Sequence, residues 1–142
     1  MADWRDRLST YFQKTGEPRH PEETSELAQF IAGVVVPAFE EIVPELEKHG
    51  RTVVIRNAAT SAAIIVQFNG EEEMTYRVQG RMFPTGVLPY AEVRFRERKG
   101  LRFISVERMF RSGPAPYRLA DITRAEVIES FLDNYMRRVE KA

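Results

Sequence analysis

From Ala62 to Met82 the chain reads AAIIVQFNGEEEMTYRVQGRM, and this stretch decides the fold class. Ala62 to Phe68 is almost wholly apolar and rich in β-branched side chains, which suit a buried, pleated strand. Asn69-Gly70 follows at once, and both residues tolerate the positive φ angles that a tight hairpin turn demands. Beyond it Met74, Tyr76 and Val78 alternate with Thr75, Arg77 and Gln79 up to Met82, the pattern of a strand with one buried and one wet face.

Outward from this hairpin the same period continues. Thr52 to Arg56 reads as a strand before it, and Tyr90 to Arg98 as one after it, with Val93 and Phe95 set against Glu92, Arg94 and Arg96. Lys99-Gly100 then turns the chain into Leu101 to Phe110, where Phe103 falls on one side and Ile104 and Val106 on the other, so this strand is expected to be buried on both faces. Successive strands with short connections predict a meander in which each strand pairs with the next.

Helical periodicity brackets the strands. Trp4, Leu8, Tyr11 and Phe12 share one stripe of a short N-terminal helix, which would either supply the second cover for the sheet or be the helix that engages a partner. A second helix is expected from Thr24 or Ser25 to Lys48, burying Leu27, Ile31, Val34, Val35, Ala38, Phe39, Ile42, Val43 and Leu46 and ending at His49-Gly50. Pro37 and Pro44 each remove a backbone donor from it, so the helix is either bent or broken near Pro37. Thr123 with Glu126 forms a capping box for a C-terminal helix whose stripe includes Val127, Phe131, Leu132, Tyr135 and Met136. The fold class is therefore α+β: one domain over residues 1–142, a five-stranded antiparallel meander sheet flanked by N-terminal helices and a C-terminal helix.

Composition narrows the function classes. With no cysteine there is no disulfide, thiolate nucleophile or cysteine-ligated metal. The opening residues from Met1 to Arg7 are charged where a leader peptide needs an apolar run, and Phe30 to Phe39 is too short to span a bilayer, so a soluble cytoplasmic protein is expected. The two histidines offer no triad: His49 suits the end of a helix, and His20 lies in a turn where Glu23 could be a second weak metal ligand but nothing supplies a third at motif spacing. Phosphate-cradling glycine loops are absent from the sequence. The run from Glu71 to Glu73 reads as a solvated hairpin tip. The chain is thus expected to be non-catalytic, with no cofactor and no metal.

Two surfaces remain as candidates. In a meander, alternate connections emerge at one end of the sheet, which gathers the segments 57–61, 83–89 and 111–118. Arg81, Phe83, Tyr90, Arg111, Tyr117 and Arg118 then cluster with several prolines, and these aromatics either plug the core or form a stiff recognition surface for a protein or peptide. The alternative is an arginine-bearing sheet face with Arg56, Arg77, Arg94 and Arg96, suited to nucleic acid, although Tyr76 and Phe95 have the parity of the core rather than of a base-stacking platform. An apolar small-ligand carrier, with its pocket between sheet and bent helix, is a further alternative.

Charge is divided along the chain. Residues 15–50 carry eight Glu against Arg19 and Lys48, net −6, while residues 51–118 carry twelve Arg or Lys against six Glu, net +6. The two sets either neutralise each other by packing together or leave a basic surface for an acidic partner.

Overall fold

The computed structural model describes residues 4–8, 21–83, 86–96, 102–111 and 117–139. Five antiparallel strands form one sheet in the order of the sequence: β1 (Thr52–Ala58), β2 (Ser61–Phe68), β3 (Glu71–Phe83), β4 (Gly86–Arg96) and β5 (Phe103–Met109). Asn69 at φ 53° and Gly70 at φ 79° make the β2–β3 turn, as the dipeptide requires. Helices precede and follow the sheet: α1 (Pro21–Phe30) and α2 (Val36–Glu47) before it, and α3 (Arg124–Arg138) after it. The α+β class and the meander are thus as expected.

Strand ends differ from the expected ones, most of all in the β3–β4 hairpin. Phe83 to Pro89, expected as a connection, is largely strand: Gly86 opposes Phe83, and Pro89 opposes Gly80. Pro89 is tolerated there because β4 has no β5 partner beyond the pair Tyr90 and Met109. With no N–H on Pro89, the next rung would lack one of its two hydrogen bonds, and β5 ends at Met109.

The helix before the sheet is continuous through Pro37. Ile31–Val35 forms a π turn between α1 and α2, with the Val36 N–H bonded to the Ile31 carbonyl. This widened turn sits directly before the proline, the residue type that disrupts an α-helical ladder. At the other end, Gly50 (φ 81°) donates to the Glu47 carbonyl and Arg51 to the Leu46 carbonyl, closing the helix with a left-handed glycine cap. Among the described residues, Ser25–Glu47 is long and apolar enough to cross a membrane on length and composition, although its run of Leu27, Phe30, Ile31, Val35, Ala38, Phe39 and Ile42 is buried within the fold.

All three helices pack on the sheet face that carries Met74, Tyr76, Val78, Ala91 and Val93. Tyr76 is the centre of this core: Phe39 and Phe131 meet its ring edge-on at 6.0 and 5.6 Å, and its buried hydroxyl shares a 2.6 Å hydrogen bond with Ser130 on α3. Gly80 lets α1 approach closely, since a Cβ there would lie 2.8 Å from Leu27 Cδ2 and from Val87 Cγ1. Thr123 caps α3 by accepting from the Glu126 N–H, but the Glu126 carboxylate turns to Arg111, and Met136 is 65% exposed rather than in the stripe.

Residues 4–8 are helical, with Trp4 63% and Leu8 47% exposed; Tyr11 and Phe12 lie outside the described residues. The expected burial of the last strand on both faces is not met. Ser105, Glu107 and Met109 are exposed and Phe103 is half-buried, because the helices occupy the opposite face of the sheet.

Candidate functional site

The face away from the helices collects the arginines. By register, Arg56 on β1 opposes Ala63 on β2, which opposes Arg77 on β3, which opposes Glu92 and then Glu107 across β4 and β5. One row along, Val54, Ile65, Thr75, Arg94 and Ser105 align, and Arg96 opposes Phe103 at the next position. Arg56, Arg77, Arg94 and Arg96 therefore share one face, while α1, α2 and α3 pack on the other.

Two aromatic residues that the sequence reading placed elsewhere belong to this face. Tyr90 opposes Gln79 and Met109, and Phe103 opposes Arg96. The parity signal was present for both. Tyr90 was read as the edge of a loop, however, and Phe103 as the second buried side of its strand. Each ring is covered by arginine: Arg81 lies 4.5 Å over Tyr90, while Arg94 and Arg96 lie 4.1 and 4.8 Å from the Phe103 centroid. Arg81 also pairs with Glu107, which raises its already high pKa further, and Arg94 lies 3.7 Å from a Glu72 carboxylate oxygen.

At the loop end of this face the surface turns apolar. Phe83 is 42% exposed and Met109 45% exposed, and they flank half-buried Leu88 and the Tyr90–Arg81 stack.

The other three residues of the expected loop-end site lie elsewhere. Tyr117 is buried, and its hydroxyl donates to the Pro89 carbonyl at 2.9 Å while accepting from the Phe110 N–H at 3.0 Å. Pro89 and Phe110 are the next positions beyond the last β4–β5 pair, so the phenol substitutes for the rung that Pro89 cannot complete. Burial raises the pKa of this phenol and favours the neutral form that can donate. Arg111 makes two hydrogen bonds to the Glu126 carboxylate and one to the Asp121 carbonyl, which ties the chain after β5 to α3. Arg118 is exposed, and its backbone N–H donates to Asp121 Oδ2. Tyr117 is thus a plug, one of the two roles open to the loop aromatics, whereas Phe83 is presented outward.

The glutamates at the start of β3 are only partly a solvated tip. The register slips between Val66 and Gln67, so Glu72 pairs with Gln67 and Glu73 becomes the extra residue of a bulge. Its carboxylate accepts from Tyr135 Oη at 2.6 Å and from Arg51 Nε at 3.2 Å, joining β3, α3 and the start of β1. Burial, and then the hydrogen bond to Glu73, push the Tyr135 phenol up to about 12.

No ion pair between described residues joins the acidic stretch 15–50 to the basic stretch 51–118. Glu26, Glu40, Glu41, Glu45 and Glu47 are exposed on the helices, where Glu41 pairs with Arg124 of α3 and Glu45 with Lys48. The arginines of the sheet look out from the opposite layer. Among the described residues no group of His, Cys, Asp or Glu is placed to hold a metal ion, and His20 lies outside them. In comparisons with known proteins, the chain matches no family model, no curated protein and no solved structure.

Proposed function

We propose that this chain is a non-catalytic interaction domain that binds a protein or peptide on the open face of its sheet, with Phe83, Met109 and Arg81, the last held over the buried ring of Tyr90, as the contact centre. The observation that carries the reading is the pairing of exposed apolar side chains with a pre-stacked guanidinium on a rigid antiparallel scaffold. Phe83 and Met109 offer area that contact with a partner would remove from water, and Arg81 is already held by Tyr90 and Glu107, so it loses little freedom on binding. This keeps Arg81, Phe83 and Tyr90 of the loop-end cluster and assigns Arg111 and Tyr117 to holding the fold.

Two observations favour this reading over its alternatives. Base stacking needs an accessible ring face, and the rings of Tyr90 and Phe103 are both covered by guanidiniums. A small apolar ligand needs room between helix and sheet, where Phe39, Tyr76 and Phe131 are in ring contact and Leu27 presses on Gly80.

The test is affinity capture from the native host, identification of the captured protein, and titration of that purified protein against wild type and Phe83→Asp/Met109→Asp. The reading requires direct binding that the double variant loses while its melting temperature is unchanged. Equal affinity for both forms refutes it.

A further inference from the structure

We propose that the partner of the open face is acidic, and that Arg56 and Arg77 grip one of its carboxylates above Ala63. This inference rests on the interaction-domain reading and specifies the chemistry of what is bound.

Arg56 and Arg77 differ from the other arginines of their face. Arg81 is engaged by Glu107 and Tyr90, Arg94 by Glu72 and Phe103, and Arg96 by Phe103. Among the described residues, Arg56 and Arg77 form no ion pair and stack on no ring. They flank Ala63 in register, separated by two inter-strand spacings, or about 10 Å between their Cα atoms. Side chains of this length converge easily over that distance. Ala63 between them is 1% exposed, and long side chains reaching over so short a residue would bring their charged ends near one another. Two neighbouring guanidiniums repel, and a carboxylate between them removes the repulsion and accepts paired, charge-assisted hydrogen bonds from both.

The row also gives the partner a direction. From β1 to β5 it reads Arg56, Ala63, Arg77, Glu92, Glu107, positive at one edge and negative at the other. An acidic group is drawn to the β1–β3 half and kept off the β4–β5 half by Glu92. The chain's own exposed helix glutamates lie on the opposite layer and do not occupy the site. Glu72, Glu92 and Glu107 interrupt what would otherwise be a continuous basic track, and this favours a peptide with spaced carboxylates over a uniformly charged phosphodiester backbone.

The probe is a short, end-capped peptide alternating Phe and Glu, compared with the same peptide carrying Gln in place of Glu and with oligouridylate. Binding is followed on the intact chain by amide chemical-shift mapping and calorimetry. The expected result is perturbation of open-face amides, with the Glu peptide at least about tenfold tighter than the Gln peptide, the size of a charge-assisted contact. Arg56→Gln and Arg77→Gln should each remove most of that preference, and Glu92→Gln should strengthen binding. Equal affinity of the Glu and Gln peptides at the open face overturns the acidic partner and leaves the docking surface standing. Shifts confined to the helix layer, or none from either peptide, overturn both. Displacement of the Glu peptide by a lower concentration of oligouridylate assigns the arginines to nucleic acid and overturns the proposal.

Discussion

The Arg81 guanidinium lies 4.5 Å over the ring of Tyr90, its neighbour one strand away, and pairs on the same surface with Glu107 of β5. The stack ties β3, β4 and β5 together on the side that the helices leave open. A guanidinium held over an aromatic ring retains N–H groups that can capture acceptors at a surface. Beside it, Phe83 and Met109 are exposed apolar side chains.

Replacing those two residues separates binding from folding. Phe83 and Met109 are 42% and 45% exposed, and substitutions at such positions usually change stability by within about 0.5 kcal/mol. Phe83→Asp should weaken partner binding by about 2 kcal/mol or more, as expected of an aromatic contact-centre residue. Calorimetric titration with the identified partner, together with a urea midpoint, checks both halves.

Tyr117→Phe should do the reverse. Removing the hydroxyl strands the Pro89 carbonyl and the Phe110 N–H at a rung where neither has another partner in the ladder. A buried group left without its hydrogen bond costs about 1–3 kcal/mol. The fall should appear in urea unfolding, while partner affinity stays at the wild-type value.

Gly80→Val tests the contact between sheet and α1. The added Cβ would meet Leu27 and Val87 at 2.8 Å, and Leu27 is itself 2% exposed with little room to yield. Overpacking of this kind costs about 1–3 kcal/mol. Leu27→Ala made in the same background should recover part of that loss, a coupling that a double-mutant cycle reads directly.

Alkaline pH should loosen the end of the sheet at Glu73. The Tyr135 phenol is pushed up to about 12 from an ordinary 10.0, chiefly by burial and then by its hydrogen bond to Glu73. The folded chain therefore holds this proton more tightly than the unfolded chain. Its contribution is complete below pH 10 and is lost as pH rises through 10 toward 12. Denaturant midpoints followed across that window should fall less steeply in Tyr135→Phe than in wild type.

Much of the scaffold was legible because local signals and burial agreed. The Asn69-Gly70 turn, the alternation of Met74, Tyr76 and Val78, and the Thr123 cap each specify geometry within a few residues. The arginine face followed from parity alone. What could not be read depended on contacts between distant segments. Pro89 looked like loop until its partner Gly80 and the Tyr117 hydroxyl explained how a proline sits within a strand. Phe103 was assigned a second buried face because no local pattern reveals that Arg94 and Arg96 cover its ring. The bulge that turns Glu73 toward Tyr135 leaves no mark in a run of three glutamates.

The most direct test of the open-face assignment is photo-crosslinking in the native host, with a photoreactive phenylalanine analogue placed singly at positions 83, 109, 40 and 133. The account predicts one discrete protein adduct shared by positions 83 and 109 on the open sheet face, and none from Glu40 or Asp133 on the exposed helices. Adducts from positions 40 and 133, with positions 83 and 109 silent, would place the partner on the helix layer and contradict it.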